Sequence, residues 1–226
     1  MVQTNKNKFN KLATRSISAL ILIPPVIGIV ILGSPYFQIM VGIGCIILIR
    51  EWIKLCNSSF KQTLFGIIYI LISCFCLIQL RLIDNFGYET VLALFVIVWA
   101  SDTGAFMVGS FFGGKKLAPH ISPNKTWSGF FGGILFATLV GLLIALIIKR
   151  NTIGAIAIMS ANIGVISQAG DLLESYVKRL NGKKDTGTLI PGHGGLLDRV
   201  DGLLPAATII WLIGYFLPQK SFLLWV

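Results

Sequence analysis

The chain has 226 residues, of which 12% are charged and 55% hydrophobic, and its mean hydropathy is +0.82; a soluble domain carries roughly 25% charged residues. That balance excludes water as the main solvent. The net charge of +10 raises nucleic acid as a partner, but the basic residues are scattered in short segments, with no basic helix or interleaved aromatics to line a groove, so anionic headgroups and phosphorylated substrates are the expected partners.

In chain order, residues 1–15 are polar and basic, and the apolar run 17–32 has Pro24-Pro25 at its middle and no small-residue cleavage site. It reads as a retained helix, not a cleaved signal peptide. Apolar runs follow at 37–49, 64–80, 90–112, 127–148, 153–173 and 203–217, each near the ~20-residue length that crosses a bilayer's hydrocarbon layer. The second is short unless its helix continues through Glu51 and Lys54, with the charges near the interface. The expected fold is all-α: a polytopic membrane protein of about seven helices, within a range of six to nine. Residues 1–226 read as a single membrane domain, with N-terminal helices in 1–98, catalytic motifs in 99–202 and a C-terminal helix in 203–226. Cys45, Cys56, Cys74 and Cys76 lie in or beside apolar runs and lack the paired spacing of a zinc site.

Cytoplasmic loops collect lysine and arginine. With the N-terminus inside and seven spans, fifteen basic residues fall inside and four outside, namely Arg81, Lys149, Arg150 and Lys220. The polar segments 113–126 and 174–202 then share the cytoplasmic side.

Six of the nine acidic residues fall between Asp102 and Asp201, and ionisable groups at membrane depth are costly enough to mark function. Asp102 follows an apolar stretch and precedes another, so it is expected to face the protein interior. On a helix, Asp171, Glu174, Ser175 and Lys178 stand at i, i+3, i+4 and i+7, on one face. A second cluster, Asp198-Arg199-Val200-Asp201, repeats the i, i+3 pairing. Between them lies a basic, Gly-rich loop, 183–195, whose glycines and lysines suit phosphate oxygens. Acids flanking such a loop can hold divalent cations that screen phosphate charge. The segment 111–129, with Lys115, Lys116 and Lys125, adds phosphate-binding capacity on the same side. His120 and His193 lack the companions of a zinc site and read as loop hydrogen-bonders.

These motifs closely resemble those of the phosphatidate cytidylyltransferase (CDP-diacylglycerol synthase) family. The match rests on Ser175-Tyr176-Val177-Lys178-Arg179, Lys184-Asp185 with Gly187, and Pro191-Gly192-His193-Gly194-Gly195-Leu196-Leu197-Asp198-Arg199-Val200-Asp201. Support comes from Ser101-Asp102-Thr103-Gly104, from Ile121-Ser122-Pro123-Asn124-Lys125-Thr126-Trp127, and from Gly170-Asp171-Leu172 with Glu174. Resemblance is strong over residues 99–202 and loose before them, where only hydropathy and Glu51-Trp52 match.

The resemblance implies an enzyme that condenses CTP with phosphatidic acid, giving CDP-diacylglycerol and pyrophosphate. By matching position it implies Asp171 and Asp198 as ligands of a paired-metal centre, Mg²⁺ with a second divalent or monovalent cation. It implies Asp102, Lys125, Lys178 and Asp201 as catalytic, and Ser122, Glu174, Ser175, Arg179, Lys184, His193 and Arg199 as substrate-binding. The implied partners are CTP, phosphatidic acid and membrane lipids, without nucleic acid and with homodimerisation left open; the implied location is the inner membrane, with the active-site loops cytoplasmic. Two positions depart from the family's usual pattern: Ser128 stands for a glutamate and Gly202 for a serine.

Two other readings fit the residues less well. A CDP-alcohol phosphatidyltransferase needs an Ala-Arg pair and two more aspartates along the helix, but Leu203-Leu204-Pro205-Ala206-Ala207 follows and no acid lies beyond Asp201. A transporter predicts midplane charges and two related halves, whereas the acids here gather in one half and near one surface.

Overall fold

The computed structural model describes residues 23–56, 59–83, 86–149, 152–187 and 194–216. The basic N-terminal segment, the start of the first apolar run and His193 lie outside the described residues.

Among the described residues eight helices and a small hairpin follow one another: α1 (Ile23–Leu32), α2 (Tyr36–Leu55), α3 (Phe60–Arg81), α4 (Gly87–Phe112), β1 (Lys116–Ala118), β2 (Ser122–Thr126), α5 (Trp127–Ile147), α6 (Ile153–Leu180), α7 (Leu197–Val200) and α8 (Leu203–Phe216). Helices α2 to α6 are long and apolar enough to cross a membrane, while α1 and α8 are shorter apolar helices. A helix is the natural answer to hydrocarbon, because it satisfies its own backbone donors and acceptors. The chain is thus an all-α polytopic membrane protein with, among the described residues, five helices of spanning length and two shorter apolar ones.

Packing follows side-chain size. Helix α5 buries Gly129, Gly132, Gly133, Ala137, Gly141 and Ala145 between α4 and α6, and exposes Phe131, Leu135, Leu139 and Leu143 on its other side. Small residues let backbones approach closely where lipid supplies no hydrophobic drive between helices. Helix α3 packs on α2 and α8, and α8 in turn on α6.

Helix α2 runs on to Leu55, the continuation that the short second run required, and two local outcomes differ from the sequence expectation. Helix α6 continues past residue 173 to Leu180, so the first seven residues of the expected loop 174–202 are helical. Within 113–126 the chain forms an antiparallel hairpin, pairing Lys116 with Thr126 and Ala118 with Ser122. The Thr126 hydroxyl then accepts from the Gly129 N–H at 3.1 Å, capping α5 as β2 ends.

Three ties gather the polar segments at one end of the bundle. The Lys183 ammonium donates to the carbonyls of Lys54 and Leu55 at the end of α2. Asn181 donates to the Gln62 side chain of α3 at 3.1 Å, and Arg179 Nε donates to the Ile121 carbonyl of the hairpin at 3.1 Å.

Candidate active site

The polar stripe of α6 is real, and two lysines cross it. Lys125, carried inward by β2, meets Asp171 at 2.7 Å, and the Ser175 hydroxyl donates to the same carboxylate at 3.3 Å. One turn on, the buried Lys178 lies between Glu174 at 3.1 Å and Asp198 at 2.8 Å. Ion pairs thus join α6 to two other elements, to β2 through Lys125 and to α7 through Asp198, so α6 serves as the axis of the site.

Asp198 is held from every side. Its Oδ2 accepts from the Thr186 N–H at 3.2 Å, the Thr186 hydroxyl at 2.9 Å and the Gly195 N–H at 2.8 Å, while Oδ1 accepts from Lys178. Burial raises its pKa, but the Lys178 and Gly195 hydrogen bonds and the Lys178 charge outweigh that and bring it down to about 2.

Asp201 lies in the turn after α7, accepting from the Gly202 N–H at 2.8 Å. Burial pushes its carboxyl up to about 6; the Asp171 charge adds to this, and the facing Glu174, the Gly202 N–H and the Lys178 charge oppose it. Asp102 of α4 lies within electrostatic reach of Asp201, Asp171 and Lys125, and its Oδ1 accepts from Ser167 at 3.4 Å.

Close backbone approach makes this convergence sterically feasible. A Cβ on Gly170 would sit 2.4 Å from the Asp201 carbonyl and 2.6 Å from Pro205 Cγ, so only glycine lets α6 meet the α7–α8 turn here. The Gly202 departure has a similar cause: a Cβ there would lie 2.4 Å from the Ser167 hydroxyl, which already fills that space and bonds Asp102. At the other departure, Ser128 pairs with Thr126 at 3.0 Å and donates to the Gly113 carbonyl, joining the start of α5 to the end of α4.

Beside the acids opens a cavity of about 660 Å³. Its walls are largely apolar, with Val41, Leu48, Leu77 and Phe95 among them, while Asp102, Asp198, Arg199 and Asp201 line its polar part. One compartment therefore offers charge for a headgroup and hydrocarbon for a tail.

The remaining expected site residues are placed less centrally. Arg179 acts as a strut, donating to the Ile121 and Lys183 carbonyls. Arg199 is exposed and lines the cavity. Lys184 is exposed on the loop after α6, and Ser122 opens β2 half-buried; neither makes a side-chain contact with the acids among the described residues. His193 lies outside the described residues.

Hard oxygen donors fit Mg²⁺, which is usually bound by one or two carboxylates together with substrate phosphates. Among the described residues no three of His, Cys, Asp and Glu converge as a closed metal cage. The donor set therefore fits an ion shared with a phosphate better than one held by protein alone. Both proposed ligands are paired with lysine, Asp171 with Lys125 and Asp198 with Lys178.

Two residues around the site escaped the sequence reading. Thr186, inside the Gly-rich loop, gives Asp198 two of its hydrogen bonds. Glu51 of α2 is buried against the other end of that loop, accepting from the Leu196 and Leu197 N–H groups. A glutamate at the end of an apolar run was the available signal, and interfacial placement was the simpler account of it.

The chain is similar in sequence to known proteins. The sequence profile described as the Cytidylyltransferase family matches residues 56–217. A phosphatidate cytidylyltransferase of Brucella suis is 43% identical over 172 residues, 76% of this chain and 62% of that protein. One of Rickettsia bellii is 37% identical over 219 residues, 92% of this chain and 93% of that protein, and one of Mycobacterium leprae is 44% identical over 132 residues, 58% and 42% of the two chains. The chain thus matches less than two thirds of the length of the Brucella relative and nearly all of the Rickettsia one. With the profile covering the hairpin, the α6 stripe and both acidic clusters, the chain belongs to the cytidylyltransferase family.

Proposed function

We propose that the protein is a phosphatidate cytidylyltransferase, joining CTP to phosphatidic acid and releasing pyrophosphate. The observation that carries the reading is the compartment itself: Asp102, Asp198, Arg199 and Asp201 line part of a cavity whose walls are otherwise largely apolar, and Lys178 is paired with Asp198. A lipid phosphate with acyl chains in hydrocarbon and a nucleotide arriving from water need such a junction.

In this reaction an oxygen of the phosphatidate phosphate attacks the α-phosphorus of CTP, and the bond to the β-phosphate oxygen breaks. Pyrophosphate carries away the electron pair. No general base is required, because the attacking oxygen is already ionised near neutral pH. The difficulty is repulsion between two anions, and the residues answer it with charge. Lys125 and Lys178 turn from their carboxylate partners toward phosphate oxygens. Asp102 and Asp201 complete the acidic end, and Glu174, Ser175, Arg179, Lys184, His193, Arg199 and Ser122 contribute to substrate binding. Asp171 and Asp198 would hold Mg²⁺ and a second cation, which would screen the phosphates and stabilise the leaving oxygens.

The partners of this reading are CTP, phosphatidic acid and surrounding lipid. The basic-residue asymmetry supports an inner-membrane orientation with the hairpin and the loop after α6 in the cytoplasm. Purified protein in detergent should release pyrophosphate only when CTP, phosphatidate and Mg²⁺ are all present. Release from CTP without the lipid would refute the assignment.

A further inference from the structure

Among the described residues, besides the tie of Lys183 to the end of α2, two carboxylates fasten the loop after α6, and only one of them is a proposed metal ligand. At the first, Asp198 collects Thr186 and the Gly195 N–H. At the second, Glu51 reaches from the far end of α2. Its Oε1 accepts from the Leu196 N–H at 2.9 Å and its Oε2 from the Leu197 N–H at 2.8 Å. Glu51 is 7% exposed and forms no ion pair with lysine or arginine among the described residues. Burying a charge at such cost, with only backbone donors to compensate, implies a task beyond solubility.

The glycines of the loop report how closely it is pressed onto Glu51. A Cβ on Gly195 would lie 2.6 Å from Glu51 Oε2 and 2.3 Å from the Thr186 hydroxyl, and one on Gly187 would lie 3.1 Å from Glu51 Oε1. The two ends of the loop therefore close over one carboxylate. Leu196 and Leu197 lead directly into α7, so fixing their N–H groups fixes the turn that presents Asp198 and Asp201.

We infer that Glu51 is a positioning residue for nucleotidyl transfer: by clamping the backbone of Leu196 and Leu197 it sets where Asp198 and Asp201 stand relative to α6. This rests on the proposed reading of the site. Glu51 touches neither reacting atom nor phosphate; it acts through the turn. Glutamine at this position keeps the shape but places an amide donor opposite a backbone donor, so one of the two contacts must open. Aspartate keeps both acceptors and the charge on a shorter stem.

The test compares wild type, Glu51→Gln and Glu51→Asp, each purified in detergent. It measures kcat, the KM for CTP, the Mg²⁺ concentration giving half-maximal rate, the melting temperature and the rate of trypsin cleavage at Lys183–Lys184. The expected result is that Glu51→Gln melts within a few degrees of wild type and is cleaved faster. Its kcat should fall about 30-fold, and its Mg²⁺ requirement should rise about tenfold, a cost of the size seen when outer-shell partners of metal ligands are removed; Glu51→Asp should recover part of both. Wild-type kcat and Mg²⁺ dependence in Glu51→Gln would overturn the inference. So would a loss of rate that tracks loss of folded protein while the Mg²⁺ requirement stays unchanged. An inactive wild-type protein would instead remove the reading of the site, and the positioning role with it.

Discussion

Lys125 and Asp171 meet at 2.7 Å although one is carried by a five-residue strand and the other by the middle of a 28-residue helix. The hairpin is thereby fastened to the α6 stripe through the two groups proposed to handle phosphate and cation. Two turns further along, Lys178 repeats the arrangement with Asp198 from beyond the loop. Each lysine pairs with a carboxylate and, on the proposed reading, would turn to a phosphate when a cation takes that carboxylate.

Exchange of partners gives the first prediction. Lys125→Met and Lys178→Met should each lower kcat/KM by about 30- to 1000-fold, the cost of losing one charge-assisted contact worth about 2–4 kcal/mol in a water-poor site. Arginine should rescue only in part, because its planar fork differs from a point charge. Lys61→Met, at an exposed position on α3, serves as the comparison, since exposed charges contribute at most about 1 kcal/mol. Equal losses in all three would identify general membrane electrostatics as the cause.

Neutral replacement of the proposed ligands should separate folding from turnover. Asp171→Asn and Asp198→Asn are expected to reach the membrane yet lose nearly all activity, since an amide is a poor ligand for a hard divalent cation. Activity titrated against Mg²⁺ checks this. Wild-type rates at limiting Mg²⁺ in either variant would remove that residue from the metal site.

The two carboxyls around α7 should give opposite pH responses in metal-free protein. Asp201, raised to about 6, binds a proton in the folded state before the unfolded chain does, so stability should increase as pH falls from about 7 to 5. Asp198, lowered to about 2, contributes stability that is complete above its ordinary range near 4 and is lost as pH falls toward 2. Melting curves in detergent with chelator should show the first response vanish in Asp201→Asn. Persistence of the response there would assign it to another group.

Orientation has its own check. Cysteines placed at the exposed positions Lys116 and Lys184 should resist an impermeant thiol reagent added to sealed cells and react once the cells are opened. Labelling of either from outside would contradict a cytoplasmic site.

Much of this architecture was legible in the sequence because hydrophobic length is a strong signal in a membrane. The α6 stripe was visible for the same kind of reason: Asp171, Glu174, Ser175 and Lys178 repeat with the helix period, and α6 does place them beside the acids of α7. The hairpin was not legible, since Ser122-Pro123-Asn124-Lys125-Thr126 has no alternation of apolar residues and depends on flanking helices for its support. Glu51 was hidden by distance: its donors lie 145 and 146 positions along the chain, and no local pattern announces such a contact. The hydrogen bonds that Lys178, Thr186 and Gly195 give Asp198 likewise appear only in three dimensions.

The central claim is that this acidic junction transfers a cytidylyl group to a lipid phosphate. The most direct measurement incubates purified protein in detergent with CTP labelled in the cytosine ring, phosphatidate and Mg²⁺, and follows label in the lipid phase beside pyrophosphate in the water phase. The account predicts equal amounts of labelled liponucleotide and pyrophosphate, both abolished by omitting phosphatidate or by Asp171→Asn. Pyrophosphate without labelled lipid, or label that survives Asp171→Asn, would contradict it.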